Sequence, residues 1–174
     1  MDAAHFVHFG FLGYLWCLER VFLKTSPGRK RYNVLGALDA VDKSLVTITN
    51  DGYIKAVDVC ELIMKVAAGN AEIPVTMVMD NAAYQRCELV RATAKEQGVD
   101  ILFLPPYSPN LNLIERLWKF VKKKCLVCRY HETFTDFREA IRKVIESTGS
   151  IHKAELDSLL TWKFKSYTNV KIQT

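Results

Sequence analysis

No stretch of this 174-residue sequence is apolar for long enough to cross a membrane. The best candidate, FVHFGFLGYLWCL at residues 6–18, carries no formal charge but falls short of the ~18 residues that a span requires. MDAAH before it lacks the basic start of a signal peptide, and no small-residue cleavage site follows, so the sequence predicts a cytoplasmic protein. Internal repeats and low-complexity segments are absent, which excludes a repeat architecture. The five cysteines are odd in number and fall mostly within apolar patterns, which fits reduced thiols better than a disulfide framework. CLVC followed by His131 looks metal-like, yet no second CxxC or HxxxH pair completes four zinc ligands.

Acidic residues are missing from one long segment. Between Arg116 and His131 there are six basic residues (Arg116, Lys119, Lys122, Lys123, Lys124 and Arg129) and no acid. A second cluster, KTSPGRKR, sets Lys24, Arg29, Lys30 and Arg31 around a Pro-Gly turn. The net charge of +5 is mild, so these local concentrations say more than the sum. They point to a polyanion partner, against the plainer reading of solvated surface. Hydrophobic residues make up 49% of the chain and charged residues 25%, the balance of a soluble globule with a real core. The length suits one domain with an appendage.

Periodicity gives a sequence of elements. YNVLGALDAV and SLVTITN are apolar runs split by DK, as in a hairpin. IKAVDVCELIMKVAAGN is spaced as a helix and stops at Gly69-Asn70. IPVTMVMD and DILFLP read as buried strands. NAAYQRCELVRATAKEQG between them reads as a helix capped by Asn81 and ended by Gly98. LIERLWKFVKKK is a helix with Ile114, Leu117, Trp118 and Val121 on its apolar face. TFTDFREAIRKVIEST is a further amphipathic helix, and ELDSLLTWKFKSY adds one more. The alternation predicts a layered α/β domain with parallel central strands, whose sites lie beyond the strands' carboxyl ends.

Three acids stand out. Asp80 closes IPVTMVMD and so occupies such an end, although Asp and Asn are also common turn residues there. Glu115 follows LPPYSPNLNLI, in which three of the five prolines are concentrated. Prolines fix φ and bias the preceding residue to extended geometry, so this loop would deliver the helix start to a set position. Glu115 also has plainer readings: a capping box with Asn112, or an i,i+4 pair with Lys119. Asp2, alone near the start, would ordinarily be passed over.

Taken together, DAAHF, VMDNAAYQ and LPPYSPNLNLIERLWKFVKK resemble the three motifs of the mariner-type transposase superfamily, most closely its bacterial and archaeal insertion-sequence branch. The likeness extends through GRKRYNVLGALDAV and covers most of residues 2–131. The 34 residues between Asp80 and Glu115 match a spacing common in that branch. The resemblance implies an RNase H-like mixed sheet flanked by helices over residues 1–131, with a helical C-terminal appendage over 132–174. It implies Asp2, Asp80 and Glu115 as catalytic metal ligands for two Mg²⁺ or Mn²⁺ ions. It implies DNA, as transposon ends and target, and a homodimer in the active complex at the nucleoid. Two divalent ions ~3.5–4 Å apart can activate the attacking oxygen and stabilise the leaving one in an in-line displacement. Mg²⁺ favours carboxylate oxygens and keeps several waters, so three acids suffice. Arg29, Lys30, Arg31, Lys119, Lys122 and Lys123 are the candidate DNA contacts, with Lys119 and Lys122 on the helix face of Glu115.

The chain departs from the family in two places. Many relatives carry a histidine shortly after the second aspartate, where Gln85-Arg86 stand here. Only Met1 precedes Asp2, so the first strand reads as truncated and the chain as a catalytic domain without an end-recognition part. Chain ends fray unless tied down, which predicts a loosely held Asp2. Two rival functions remain: an RNase H-like nuclease of the junction-resolvase type, and an inactive remnant that binds DNA or a full-length partner. His5 and His8, near Asp2, are expected to pack. Trp118 belongs to the core, while Trp16 and Trp162 could stack on unpaired bases.

Overall fold

The computed structural model describes residues 1–8, 13, 16–22, 30–106 and 108–164. Three strands, β1 (Asp2–His8), β2 (Lys30–Leu38) and β3 (Leu45–Asn50), form one antiparallel sheet in that order. The β2–β3 hairpin turns where DK interrupts the apolar pattern. Asp39 Oδ1 accepts from the backbone N–H groups of Val41 (2.6 Å) and Asp42 (3.0 Å), and Lys43 takes φ 67°. Helix α1 (Ala56–Gly69) follows, then β4 (Val75–Met79), α2 (Glu88–Glu96) and β5 (Val99–Phe103), with β4 and β5 parallel. A 3-10 turn (Pro109–Leu111) leads into α3 (Leu113–Cys125), α4 (Phe134–Glu146) and α5 (Lys153–Leu159). The fold is the expected mixed α/β arrangement. The parallel order predicted for the central strands holds only for β4–β5. A hairpin as short as β2–β3 cannot supply the crossover that parallel neighbours need.

The helix expected from Asn81 begins instead at Glu88, with Cys87 at its N-cap. Residues 82–87 form separate turns, in which the Gln85 and Arg86 N–H groups both donate to the Ala82 carbonyl. These turns bury Gln85, which a helix starting at Asn81 would have placed differently. Gly98, at φ 64°, ends α2 as its position predicted.

The antiparallel sheet is covered on both faces. Ala4, Phe6, Tyr32 and Val34 face α3, α4 and α5 and pack with Leu117, Trp118, Phe137, Ile141 and Leu156. Leu35 and Ile48 face the other way, toward α1, α2, β4 and β5. The β1–β2 register explains the division, because Ala4 lies opposite Val34 and Phe6 opposite Tyr32, so both pairs project to one side. Arg116 ties α3 to the end of α5 and the segment after it, donating to the carbonyls of Leu159 (3.4 Å), Thr161 (2.8 Å) and Lys163 (2.7 Å). Among the described residues no helix is long and apolar enough to cross a membrane.

Helix α4 has a side-chain cap. Thr133 Oγ1 accepts from the Asp136 N–H at 3.1 Å and donates to the Asp136 carboxylate at 2.7 Å. Thr133→Ala is expected to cost about 1 kcal/mol. Urea titration would register this as a lower midpoint at unchanged slope.

Candidate active site

Asp2 opens β1 opposite Gly36 and is only 9% exposed. The residue before it is anchored twice. Met1 N donates to the Val78 carbonyl at 2.6 Å, and Asn112 Nδ2 donates to the Met1 carbonyl at 3.3 Å. Asp2 is therefore tied down, contrary to the fraying expected from its position. Its neighbours in the fold hold it through β2, β4 and the start of α3.

Asp80 follows the last residue of β4 and is half-buried, and its carboxylate makes no hydrogen bond among the described residues. Glu115 lies in the first turn of α3, also half-buried. Neither plainer reading of Glu115 describes the structure. The Asn112 side chain caps nothing because it is engaged by Met1, and Glu115 forms no ion pair with Lys119. The stiff segment beyond β5 starts with the Leu104 N–H bonded to the Met79 carbonyl at 2.9 Å, one residue from Asp80. It ends where α3 begins.

Asp2 senses the other two acids. Burial is the main cause that pushes its carboxyl up to about 7, the Ala3 N–H opposes it, the negative charges of Glu115 and Asp80 add to it, and the Met1 ammonium opposes it in turn. Tyr84 stands nearby: its phenol is raised by burial first, and also by Asp2 and Asp80. The Tyr84 hydroxyl accepts from Gln85 Nε2 at 3.3 Å, and the Gln85 Oε1 has no partner among the described residues. No lysine or arginine among the described residues forms an ion pair with Asp2, Asp80 or Glu115, although Lys119, Lys122 and Lys123 lie further along α3. Hard oxygen donors around a buried, mutually repelling set of carboxylates fit Mg²⁺ or Mn²⁺. As positioned, no three His, Cys, Asp or Glu side chains among the described residues form a ready metal-binding group, so the carboxylates approach one another without closing a cage.

The basic candidates separate into two places. Lys119, Lys122 and Lys123 are exposed on α3, with Lys122 Nζ 5.7 Å from the centre of the Phe6 ring. Lys124 is instead paired with Glu155 at 2.7 Å. Lys30 and Arg31 are exposed at the start of β2, beside a cleft of about 500 Å³ shared with Asp51, Gly52, Tyr53 and Phe134. Lys30 pairs with His8 and Gly36 with Asp2, so this patch sits ~20 Å along the strand from the carboxylates. The structure does not bring the two groups together. Arg29 lies outside the described residues.

Other residues have structural partners. His5 Nδ1 meets Asn33 Oδ1 at 2.6 Å, while His8 Nε2 meets the His131 carbonyl at 2.9 Å and packs on Phe134 and Phe137. Trp118 is in the core as expected. Trp16 and Trp162 are exposed, with Lys43 Nζ 5.9 Å from the Trp162 ring centre. Burial pushes the Cys125 thiol up to about 12, which makes it an inert core residue. Sequence reasoning missed Tyr84 and the tether from Asn112.

No curated protein sequence matches this chain. Among solved structures it is similar to a chain of the simian T-cell lymphotropic virus intasome in complex with PP2A regulatory subunit B56 gamma. That match has TM-score 0.57 and 10% identity, covering 99% of this chain and 59% of that one. It is similar to the Mos1 transposase paired-end complex with left transposon end (TM-score 0.56, 13% identity, 94% and 55% covered). It is also similar to the Mos1 strand transfer complex (TM-score 0.57, 13% identity, 93% and 54% covered). The chain thus spans little more than half the length of these structures, and the likeness establishes the RNase H-like fold. A family profile described as DDE superfamily endonuclease matches residues 18–138, which include Asp80 and Glu115 and leave Asp2 outside. With that match running over more than half of its length, this chain belongs to the DDE superfamily endonucleases.

Proposed function

We propose that the chain is the metal-dependent catalytic domain of a DNA transposase of the bacterial and archaeal insertion-sequence branch, cleaving and transferring strands in cut-and-paste transposition. The observation that carries this reading is the buried Asp2 carboxyl, raised by burial and faced by Asp80 and Glu115, with no lysine or arginine of the described residues paired to any of the three. Asp2, Asp80 and Glu115 would hold two Mg²⁺ or Mn²⁺ ions, which when bound supply Lewis-acid stabilisation of the attacking and leaving oxygens. The protein's own part is to position. The β1 ladder holds Asp2, the end of β4 holds Asp80, and the first turn of α3 brings Glu115 over them. Lys119, Lys122 and Lys123 continue along α3 where phosphates would run, and Arg29, Lys30 and Arg31 offer a second, remote contact. In this reading residues 1–131 form the catalytic unit, 132–174 its helical appendage, and two copies act together on transposon ends and target DNA at the nucleoid. Support for DNA as partner comes from the transposon-end and strand-transfer complexes among the similar structures.

The test is to incubate the 174-residue chain with Mn²⁺ and labelled duplex DNA. Nicking together with joined, strand-transfer products supports a transposase. Nicking alone at branched DNA favours the junction-resolvase reading, and DNA binding without ion binding favours an inactive remnant. The lysines make a separate prediction. Lys119→Ala with Lys122→Ala is expected to weaken binding to all DNA sequences about equally and lower the salt slope by ~1 per lysine. An unchanged slope in a filter-binding series would return both residues to solvated surface.

A further inference from the structure

Resting on the site proposed above, we infer that Gly36 is a positioning residue, an empty place in β2 that lets α3 settle low enough to bring Glu115 toward Asp2. Gly36 lies directly across from Asp2 in the β1–β2 register. Its backbone is not in the positive-φ region, so conformational freedom does not account for a glycine here. Space does. A Cβ at this position would come within 2.8 Å of Trp118 Cζ2, 2.9 Å of Trp118 Cη2 and 3.3 Å of Ile114 Cδ1. Neither side chain can swing away, since Ile114 is 1% and Trp118 2% exposed.

Ile114 and Trp118 are the residues at i−1 and i+3 from Glu115, so the turn of α3 that rests on Gly36 is the turn that carries the carboxylate. The Trp118 indole N–H is buried with no acceptor among the described residues, so packing against them sets the ring's position. The same turn is fastened a second time by Asn112 Nδ2 on the Met1 carbonyl, beside Asp2. Any side chain at position 36 must lift that turn and widen the gap between Glu115 and Asp2, with neither carboxylate altered. Interior packing transmits such a displacement, because few voids exist to absorb it.

The experiment measures Mn²⁺ affinity of the 174-residue chain by calorimetry, alongside its melting temperature, for Gly36→Ala, for Gly36→Ala with Trp118→Phe, and for Asp80→Asn. Gly36→Ala is expected to bind Mn²⁺ about 10–100-fold more weakly, the range seen when groups that orient metal ligands are disturbed. Trp118→Phe removes the two ring atoms that a Cβ would strike, so the double variant is expected to regain affinity within a few-fold of the parent. Gly36→Ala folding with parental affinity overturns the inference. If the single variant does not fold, a folded double variant that still binds weakly overturns it equally. A purely structural role would lower the melting temperature without moving affinity. Asp80→Asn separates the two levels: unchanged binding there would remove the metal site itself, and the inference with it. Weakened binding in Asp80→Asn beside parental binding in Gly36→Ala would remove only the inference.

Discussion

Replacing Asp80 by Asn, or Glu115 by Gln, is expected to lower Mn²⁺-dependent strand cleavage by roughly a thousandfold or more while the fold survives. Each change keeps the shape of the side chain and removes its charge. Polarisation by a well-held divalent ion is worth several kcal/mol in the transition state. At about 1.4 kcal/mol per factor of ten, losing three such increments gives the stated magnitude. Both residues are half-buried and neither makes a structural ion pair among the described residues, so neutralising them leaves no orphaned partner. Plasmid nicking measured beside circular dichroism checks the result. Parental cleavage by either folded variant would show that the carboxylates of the reaction lie elsewhere.

Asp2→Asn is expected to act in two directions at once: a more stable protein without divalent ions and loss of the stabilisation that ions bring. The folded chain holds the Asp2 proton up to about pH 7, against an ordinary aspartate value of 3.8. Between those values the folded state binds more protons than the unfolded one, so stability falls as pH rises through the window. The full cost is present above pH 7. At pH 8 the cost is on the order of a few kcal/mol. Removing it is expected to raise the metal-free melting temperature by roughly 5–10 °C for a chain of this size. In the parent, Mn²⁺ is expected to recover much of the same loss, and in Asp2→Asn it is expected to do little. Scanning calorimetry at pH 5 and pH 8, with and without Mn²⁺, gives all the needed comparisons. Burial also lowers the Met1 ammonium to about 6, so its contribution rises between pH 6 and 8 and opposes that of Asp2 in the parent. A metal-free stability difference between parent and Asp2→Asn that does not grow from pH 5 to pH 8 would contradict the placement of Asp2.

Much of this arrangement was legible in the residues because it is local or periodic. The 3.6-residue spacing of Ile114, Leu117, Trp118 and Val121 located α3 and its buried face. DK marked the β2–β3 turn, and Gly98 marked the end of α2. The motif likeness singled out Asp80 and Glu115, and the family profile covers both. What escaped were relations between distant parts of the chain. Asn112 had every local property of a helix cap, but its amide is claimed by Met1, more than a hundred residues earlier. Asn81 looked like a cap as well, yet the turns through Ala82 and Gln85 displaced the helix start to Glu88. Asp2 seemed free to fray because the ladder and tethers that hold it come from residues 36, 78 and 112. Arg116 counted toward a basic run, whereas its guanidinium is engaged by the carbonyl of the last residue of α5 and by two carbonyls beyond it.

The two sheets meet where Met1 N reaches the Val78 carbonyl, and no ladder joins β1 to β4. Asp2 stands on one side of that joint and Asp80 on the other. In mechanical terms the joint is a pin rather than a weld, set in the layer that supports the carboxylates. Repulsion among the acids loads it in the opening direction. A divalent ion drawn between them would act as a rivet across it, converting two plates into one. Local strength is then greatest only when the working parts are loaded, and hydrogen exchange at Val78, Met79 and Ala3 would be the gauge of how far the rivet has been driven.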